Sequence, residues 1–523
     1  MFDVAIIGGG PVGAFAANLL GKAGIKTLIV EKEAQPFPLP RAVHLDHEMV
    51  RLLQAVGIAD KVLPDMRDTE GHLHIGADHG VIRYMGTVDK PRPYGWSNDY
   101  FFYQPELEDH LRDALGAYPN VELRLGTECV GVEQQDNHVS INLVGDQQAY
   151  QIKARWVIAC DGARSSVRKD LGIELDDLDF EEPWLVVDAE VDGDVQFPDL
   201  NGVPAGANLQ QLSIMMCDPK RPATIVPGRG NHRRWELMLL PGENDKEMMK
   251  PQKVAELLAP YLDGVPHKIV RASTYRFHGL VAKQWQQGKV FLAGDAAHQT
   301  PPFFGQGMCH GFRDVANLSW KMAMILNHQA DASILDSYQP ERDPHVRAVI
   351  TAAVNAGRYI CILDQQQAAL RDADIREKVR RNELPTTAAE LIPPIQSGIV
   401  ATRTIKAGVR FIQPRLTIEG KEKLLDDIAP GQWKLFVKNG AILTSAQDTK
   451  QSYLTNVDLQ IYNAEDLGCH NPITQWLADC QVQAVLVRPD FYVYGTAGHD
   501  VDTLLISLSQ QLSATNTIQE QIA

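Results

Sequence analysis

Apolar positions open the chain as a short run, Val4-Ala5-Ile6-Ile7 after Asp3, stopped by Gly8. A run of that length with little alternation predicts a strand buried in a parallel sheet. Residues 11–23 carry apolar positions at helical spacing, and Gly24 closes the segment. Residues 26–31 (Lys-Thr-Leu-Ile-Val-Glu) predict a second strand and complete one βαβ unit. The buried-strand signal returns at Trp156–Ala159, ending in Cys160-Asp161-Gly162, and at Lys289–Ala293, ending in Gly294-Asp295. Between them, residues 184–191 and 234–240 predict strands of a separate sheet, with only weak alternation in Trp235-Glu-Leu-Met-Leu. Residues 308–327 predict a long apolar helix bearing Asp314, Asn317 and Lys321. Residues 364–392 are polar and charged, and Pro385, Pro393 and Pro394 punctuate a helical connector. Short strands resume at Lys434–Val437, Val457–Ile461 and Ala484–Val487, and residues 501–513 close the chain as a helix.

The pattern predicts an α/β chain: a Rossmann-like nucleotide-binding domain interrupted by a mixed-sheet domain, then a small third α/β domain. The expected boundaries are 1–75, 100–180 and 275–360 for the discontinuous nucleotide domain, and 76–99 with 181–274 for the sheet domain. The connector is 361–400 and the last domain 401–523.

Composition narrows the partners. With 523 residues the chain suits about three domains, and 44% hydrophobic and 22% charged residues argue against disorder. The net charge of −16 disfavours generic binding to nucleic acid or an anionic membrane, so an anionic ligand must be met by local cations or backbone amides. No apolar run reaches about 18 residues, so no membrane span is expected. The 7 cysteines are odd in number, scattered and without a CxxC pair, which argues against a disulfide framework or zinc site and suits a reducing cytoplasm; no metal is expected. The apolar stretch from Val4 to Leu20 lacks a basic leader, follows Asp3 and is broken by glycines, so it reads as fold rather than signal peptide.

Gly8-Gly9-Gly10-Pro11-Val12-Gly13 satisfies G-x-G-x-x-G between strand and helix. Gly8 allows the tight turn, Gly10 lets backbone approach a pyrophosphate, and Gly13 lets helix and strand pack. Glu31, with Lys32 beside it, ends the next strand where a carboxylate accepts ribose hydroxyls. This fingerprint alone serves NAD or FAD equally.

The later motifs decide. Cys160-Asp161-Gly162-Ala163-Arg164 and Gly294-Asp295-Ala296-Ala297-His298, in this order after the glycine turn, resemble the class A FAD-dependent aromatic hydroxylases over roughly residues 1–360. The resemblance implies FAD as cofactor, NADH or NADPH as electron donor, and hydroxylation of a phenol with O2. It implies that Asp295 and Gln104 contact the ribityl chain, that Arg41 reaches the phosphate region, and that Asp161 with Arg164 supports flavin and nicotinamide. The loop Pro302-Phe303-Phe304-Gly305-Gln306-Gly307-Met308-Cys309 would place unpaired N–H groups against the flavin, and the Pro302 carbonyl against the phenol. Many members carry Asn where Cys309 stands; a backbone contact survives that change, and Cys309 reads as a buried inert thiol.

Within the family, Met216–Pro222 and Arg233–Met238 resemble 3-(3-hydroxyphenyl)propionate hydroxylases, which implies ortho-hydroxylation of a 3-hydroxyphenyl acid. Arg221 or Arg234 is the expected carboxylate clamp, Tyr275 and Phe303 are expected pocket walls, and His278 an expected proton relay. Residues from 401 resemble a thioredoxin-like tail that lacks CxxC, so a structural role or a homodimer contact is expected. The alternatives are an FAD dehydrogenase or oxidase of the same fold, and a non-catalytic flavin-binding assembly protein.

Overall fold

The computed structural model describes residues 1–36, 38–87, 90–385, 388–468 and 471–513. The first strand, Phe2–Ile7, is central in an eight-stranded sheet. It pairs in parallel with Thr27–Val30 on one side and with Gln148–Ala159 on the other, and the latter pairs in parallel with Val290–Leu292. Ile7, Ala159 and Leu292 lie level in register. The turns that follow, Gly8–Gly10, Cys160–Gly162 and Gly294–Asp295, therefore open at one carboxyl edge, where ligands of such sheets bind. The first helix, Pro11–Lys22, packs on the central helix Gly307–Leu326, with Phe15 stacked on Phe312 at 4.6 Å.

The second sheet also has eight strands. From one edge they run His298–Gln299, His267–Ala282, Leu175–Val191, His232–Met238, Ala223–Pro227, Ser213–Met216, Gly71–Ile75 and Val81–Gly86. The expected boundary after residue 75 needs correction. Gly71–Ile75 belongs to this sheet, because its Leu73 and Ile75 join Ile214, Ile225, Trp235 and Leu237 in one apolar face. That face is covered by the helix Pro251–Leu262 through Val254, Leu258 and Leu262. The opposite face turns toward the first domain.

The connector is helical at Gln365–Arg380 and is fastened to the sheet edge. Arg371 Nη2 donates to the Cys217 carbonyl at 2.9 Å, and Asp372 Oδ2 accepts the Ala77 N–H at 2.7 Å. The C-terminal sheet has the order Leu459–Asn463, Trp433–Val437, Ala484–Val487, Val493–Ala497, with only the first pair parallel. It docks on the first domain through buried charges. Arg488 Nη2 meets Glu341 Oε2 at 2.7 Å, Arg51 Nε meets Asp426 Oδ2 at 2.7 Å, and Arg410 Nε meets Glu48 Oε1 at 2.6 Å. Among the described residues no helix is long and apolar enough to cross a membrane.

Candidate functional site

The glycine turn is shaped by close approach. Gly8 has φ +103°, and a Cβ there would stand 2.4 Å from the Cys160 carbonyl oxygen; a Cβ on Gly13 would stand 1.9 Å from the Gly8 oxygen. Gly10, by contrast, caps the first helix with no atom within 4 Å of a would-be Cβ. Pro11 at the first helical position leaves the following N–H groups aimed at that opening. Glu31 braces the turn: its Oε2 accepts the Gly9 N–H at 2.7 Å and its Oε1 the Glu33 N–H at 2.9 Å. Val12 packs against both Gly294 and Gly311, and a Cβ on Gly311 would stand 3.2 Å from the Gly294 Cα, so these glycines let the central helix approach the turn closely. Lys32 is exposed just beyond.

Two acids edge the crevice. Asp161 Oδ2 accepts the Val167 N–H at 3.2 Å, while its Oδ1 is buried with no partner. Asp295 opens into the crevice at the end of strand Val290–Leu292, with Arg164 exposed on the facing turn. Gln104 is buried at the start of the helix Gln104–Ala114. Its Oε1 accepts the N–H groups of Arg41 and Ala42 at 3.1 and 2.7 Å, and its Nε2 donates to Glu108 at 2.6 Å. This fixes the segment on which Arg41 stands exposed.

The loop before the central helix begins with a short 3-10 turn, Pro302–Phe304, in which the Pro302 carbonyl accepts the Gly305 N–H at 2.7 Å. Gly305 follows at φ +62°, and a Cβ there would meet His44 Nδ1 at 2.6 Å. Gln306 caps the helix, and the N–H groups of Gly307, Met308 and Cys309 lead into the crevice end of its axis. Cys309 is fully buried, and burial pushes its thiol well up, as expected of an inert cysteine. An open pyrophosphate turn, an orphan buried acceptor and a glycine loop at a helix start together suit FAD.

Opposite this loop stands the second face of the second sheet. Strand alternation sends Trp184, Val186 and Asp188 to it, with Arg234, Glu236 and Met238 from the neighbouring strand. Cross-strand pairs continue one row from Val186 through Glu236, Thr224, Met215 and His74 to Arg83. Phe303 closes the top: its ring meets Trp184, Phe180 and Phe277 at 5.7, 5.9 and 6.1 Å. The row's polar side chains are only partly partnered. Thr224 Oγ1, His74 Nε2 and Arg83 Nε are buried without a hydrogen bond, and so is Trp184 Nε1 beside the row. Glu236, 6% exposed, makes no hydrogen bond or ion pair among the described residues; burial, reinforced by Asp188 against Arg234 and Arg271, pushes its carboxyl up to about 7. Tyr359 Oη bonds His74 Nδ1 at 2.6 Å, and burial holds His74 well below the usual histidine range.

The adjoining row supports the wall. His44 Nε2 bonds Asp99 Oδ1 at 2.9 Å and its ring meets His72 at 5.6 Å. Burial opposes charge on His44, but the Asp99 hydrogen bond and charge prevail and raise its pKa; burial lowers His72, whose ring nitrogens have no partner, to about 4. Among the described residues His44, His72 and Asp99 are the one grouping tight enough for a metal ion.

The glycine turn, Asp161, Asp295 and the 302–309 loop edge one crevice, whereas Gln104, expected on the ribityl chain, is buried with its amide engaged by Arg41, Ala42 and Glu108. Of the expected substrate residues Phe303 joins the aromatic cluster, and the others are placed differently. Arg234 is committed: Nε and Nη2 hold Asp188 at 2.8 and 3.2 Å, while Nη1 and Nη2 donate to the Arg41 and Pro40 carbonyls at 2.6 and 2.8 Å. Arg221 is paired with Glu243 at 2.6 Å and with the Met238 carbonyl at 2.7 Å. Neither guanidinium is available as a clamp. His278 lies beside Glu181, with Nδ1 3.8 Å from its Oε2, on the strand face opposite Phe277, and so is not brought to the aromatic cluster. Tyr275 is 38% exposed, under the Arg271 guanidinium. Residues missed in the sequence are Glu236, Thr224, His74, Arg83, His44 and Tyr359. The visible signal was a polar residue between apolar ones in short strands: Glu236 between Trp235 and Leu237, and His72 and His74 around Leu73.

These features define a flavin-dependent hydroxylase class. Residues 1–353 match the FAD binding domain family, and the chain belongs to that family as an FAD-dependent aromatic hydroxylase. It is 34% identical to a probable NADH-specific resorcinol 4-hydroxylase of Rhodococcus jostii (strain RHA1), over 98% of this chain and 94% of that protein. It is also 34% identical to a 3-(3-hydroxy-phenyl)propionate/3-hydroxycinnamic acid hydroxylase of Burkholderia cenocepacia (strain HI2424), over 94% and 93%. In fold it is similar to the flavin-dependent monooxygenase PieE solved with FAD and substrate, with TM-score 0.81 and 22% identity over 98% of each chain. Aklavinone-11 hydroxylase, solved with FAD and aklavinone, gives TM-score 0.78 at 23% identity over 98% of each chain.

Proposed function

We propose that the protein hydroxylates the ring of a 3-hydroxyphenyl acid, such as 3-(3-hydroxyphenyl)propionate, ortho to its hydroxyl to give a catechol. Bound FAD, reduced by NADH or NADPH, supplies the activation of O2 and the transferable oxygen atom. The chain's own residues bind, orient and keep water out. The Gly8–Gly13 turn and Arg41 receive the diphosphate, Glu31 the ribose, Asp161 and Asp295 the polyol, and the 302–309 loop the ring edge. Phe303, Trp184 and Phe277 close the pocket at the end of the sheet away from Arg83.

One observation carries the substrate reading: Arg83 is 8% exposed in an acidic chain and has no carboxylate partner among the described residues. Its guanidinium bonds neutral groups, Nη2 to the Pro385 carbonyl and a further hydrogen bond to Tyr359, and its Nε is an unused donor at the end of the polar row. A buried guanidinium without an acid is a receptor for one. The similarity to the Burkholderia cenocepacia enzyme points the same way. The mixed C-terminal sheet suits a thioredoxin-like unit without dithiol chemistry, acting as a docking element of a cytoplasmic enzyme and as a homodimer contact.

The test compares the acid with its neutral amide, in the wild type and in Arg83→Met. The wild type should favour the acid by at least tenfold in kcat/KM, about 1.4 kcal/mol, and Arg83→Met should erase that preference. Equal turnover of acid and amide by the wild type would reject the clamp and favour a neutral substrate such as resorcinol.

A further inference from the structure

The polar row raises a question that the flavin does not answer. Ring hydroxylation needs an electron-rich ring, and a phenolate supplies it better than a phenol. A simple phenol ionises near 10, like tyrosine, so a neighbouring base must take its proton near neutral pH. A buried base with no protein partner is therefore the group to seek.

The acids and histidines around the site are mostly engaged. Asp188 is saturated by Arg234, Arg271 and His232 at 2.8, 3.0 and 3.1 Å, which hold its carboxyl down to about 2. Asp99 is bound to His44, while Asp46 and Glu48 are bound to Arg313. His74 Nδ1 is bonded to Tyr359 Oη, and burial with the nearby Arg83 holds its imidazole well below the usual histidine range, which makes it a weak base. Glu236 differs. It is central in the sheet, on the face turned to Phe303 and the flavin loop, with no hydrogen bond and no cation on its carboxyl. Its cross-strand neighbour Thr224 also has an unpartnered hydroxyl. Burying a carboxyl without any partner costs folding free energy, so a retained one asks for a function.

We propose that Glu236 is the proton acceptor for the substrate's hydroxyl, with Thr224 bonding the same oxygen. The step balances simply: the phenol O–H bond breaks, its electron pair stays on the ring oxygen, and the proton moves to a Glu236 carboxylate oxygen. No charge leaves the pocket. The charged groups that face Glu236 are Asp188 on the 175–191 strand, Arg234 on its own strand and Arg271 on the 267–282 strand. Burial with Asp188 outweighs the two arginines and poises the carboxyl at about 7, so it accepts a proton at the pH where the enzyme must work. This inference rests on the hydroxylase reading and names a catalytic residue within it.

The test uses the oxidised holoenzyme without NADH and a simple phenol as probe, which ionises near 10 and is therefore neutral in solution at pH 8, its ionisation read by ultraviolet difference absorbance. At pH 8 the wild type should bind it as the phenolate, seen by absorbance, with no proton released to a weakly buffered indicator solution. Glu236→Gln, with full flavin content, should hold the neutral phenol or release one proton per phenolate formed. Glu236→Asp should restore silent ionisation in part. Thr224→Val should weaken binding without changing the proton balance. In turnover, Glu236→Gln should lose roughly hundredfold in kcat and the ionisation limb near 7 in kcat/KM. Silent phenolate formation by Glu236→Gln overturns the assignment, as does a wild type that holds the neutral phenol. Phenol-stimulated NADH oxidation by the wild type, which involves no variant, judges the hydroxylase reading separately.

Discussion

Replacing Glu236 by Gln should make the protein more stable at alkaline pH while disabling it. The folded carboxyl ionises at about 7, against 4.5 for the exposed group. Below 4.5 it is protonated in both states and costs nothing. As the pH rises from 4.5 to 7, the unfolded chain ionises and the folded chain resists, so stability falls by about 1.4 kcal/mol per pH unit. Above 7 both states are ionised and the full penalty, about 3 kcal/mol, is in place. A glutamine fills the same volume and never ionises. The difference in unfolding free energy between variant and wild type should therefore grow by about 2 kcal/mol between pH 5.5 and pH 8. Urea titrations of substrate-free holoenzyme at the two pH values, followed by tryptophan fluorescence, measure it; Trp184 and Trp235 lie in the same sheet. A difference that stays flat with pH would refute the reasoning, because it would mean that Glu236 is hydrated or paired in solution.

Three further outcomes are expected. Asp295→Ala should weaken FAD retention by roughly ten- to hundredfold, matching a lost charged hydrogen bond of about 1.5–3 kcal/mol, while the thermal melt of the apoprotein changes little; dialysis with flavin fluorescence measures it. Gly13→Ala should yield a colourless or unfolded protein, because its Cβ would stand 1.9 Å from the Gly8 oxygen; absorbance at the flavin band decides. Arg488→Met should cost about 3 kcal/mol in urea, since it leaves Asp490 with only Asn317 at 3.2 Å, while Glu341 keeps Lys321 at 3.0 Å; an unchanged midpoint would show the pair to be dispensable.

The nucleotide domain was legible because its signals are local. Continuous apolar strands, glycines at fixed offsets and a carboxylate at the second strand end all lie within a few residues of one another, and the structure sets Gly8, Asp161 and Gly294 at one sheet edge. The substrate face was not legible, because it is built from strands far apart in sequence. Glu236, Thr224, Met215 and His74 become neighbours only through cross-strand register. Single residues there look like ordinary core. Arg221 and Arg234 were conspicuous as charges, but charge alone does not reveal a partner such as Glu243 or Asp188.

The C-terminal unit shows why a proline-rich break is a weak guide to independence. Removing everything beyond residue 400 looks harmless from sequence, since no fingerprint residue lies there. In the structure, Arg410 and Arg313 share Glu48, and Arg313 also holds Asp46 at the end of the strand His44–Asp46. His44, at the start of that strand, touches Gly305 of the flavin loop and His72 of the substrate face. Truncation would strip Arg410 from Glu48, Asp426 from Arg51 and Arg488 from Glu341, leaving buried charges short of partners in the first domain. Glu48 keeps Arg313 and Glu341 keeps Lys321, but Arg51 loses its acid, and a buried charge left unpaired typically costs about 3–5 kcal/mol, a large share of a domain's stability. The strand that walls the site is thus held from behind by the last domain. A chain cut at residue 400 is expected to be insoluble or to lose flavin, and one that folds and hydroxylates normally would show that these ion pairs are replaced by solvent without consequence.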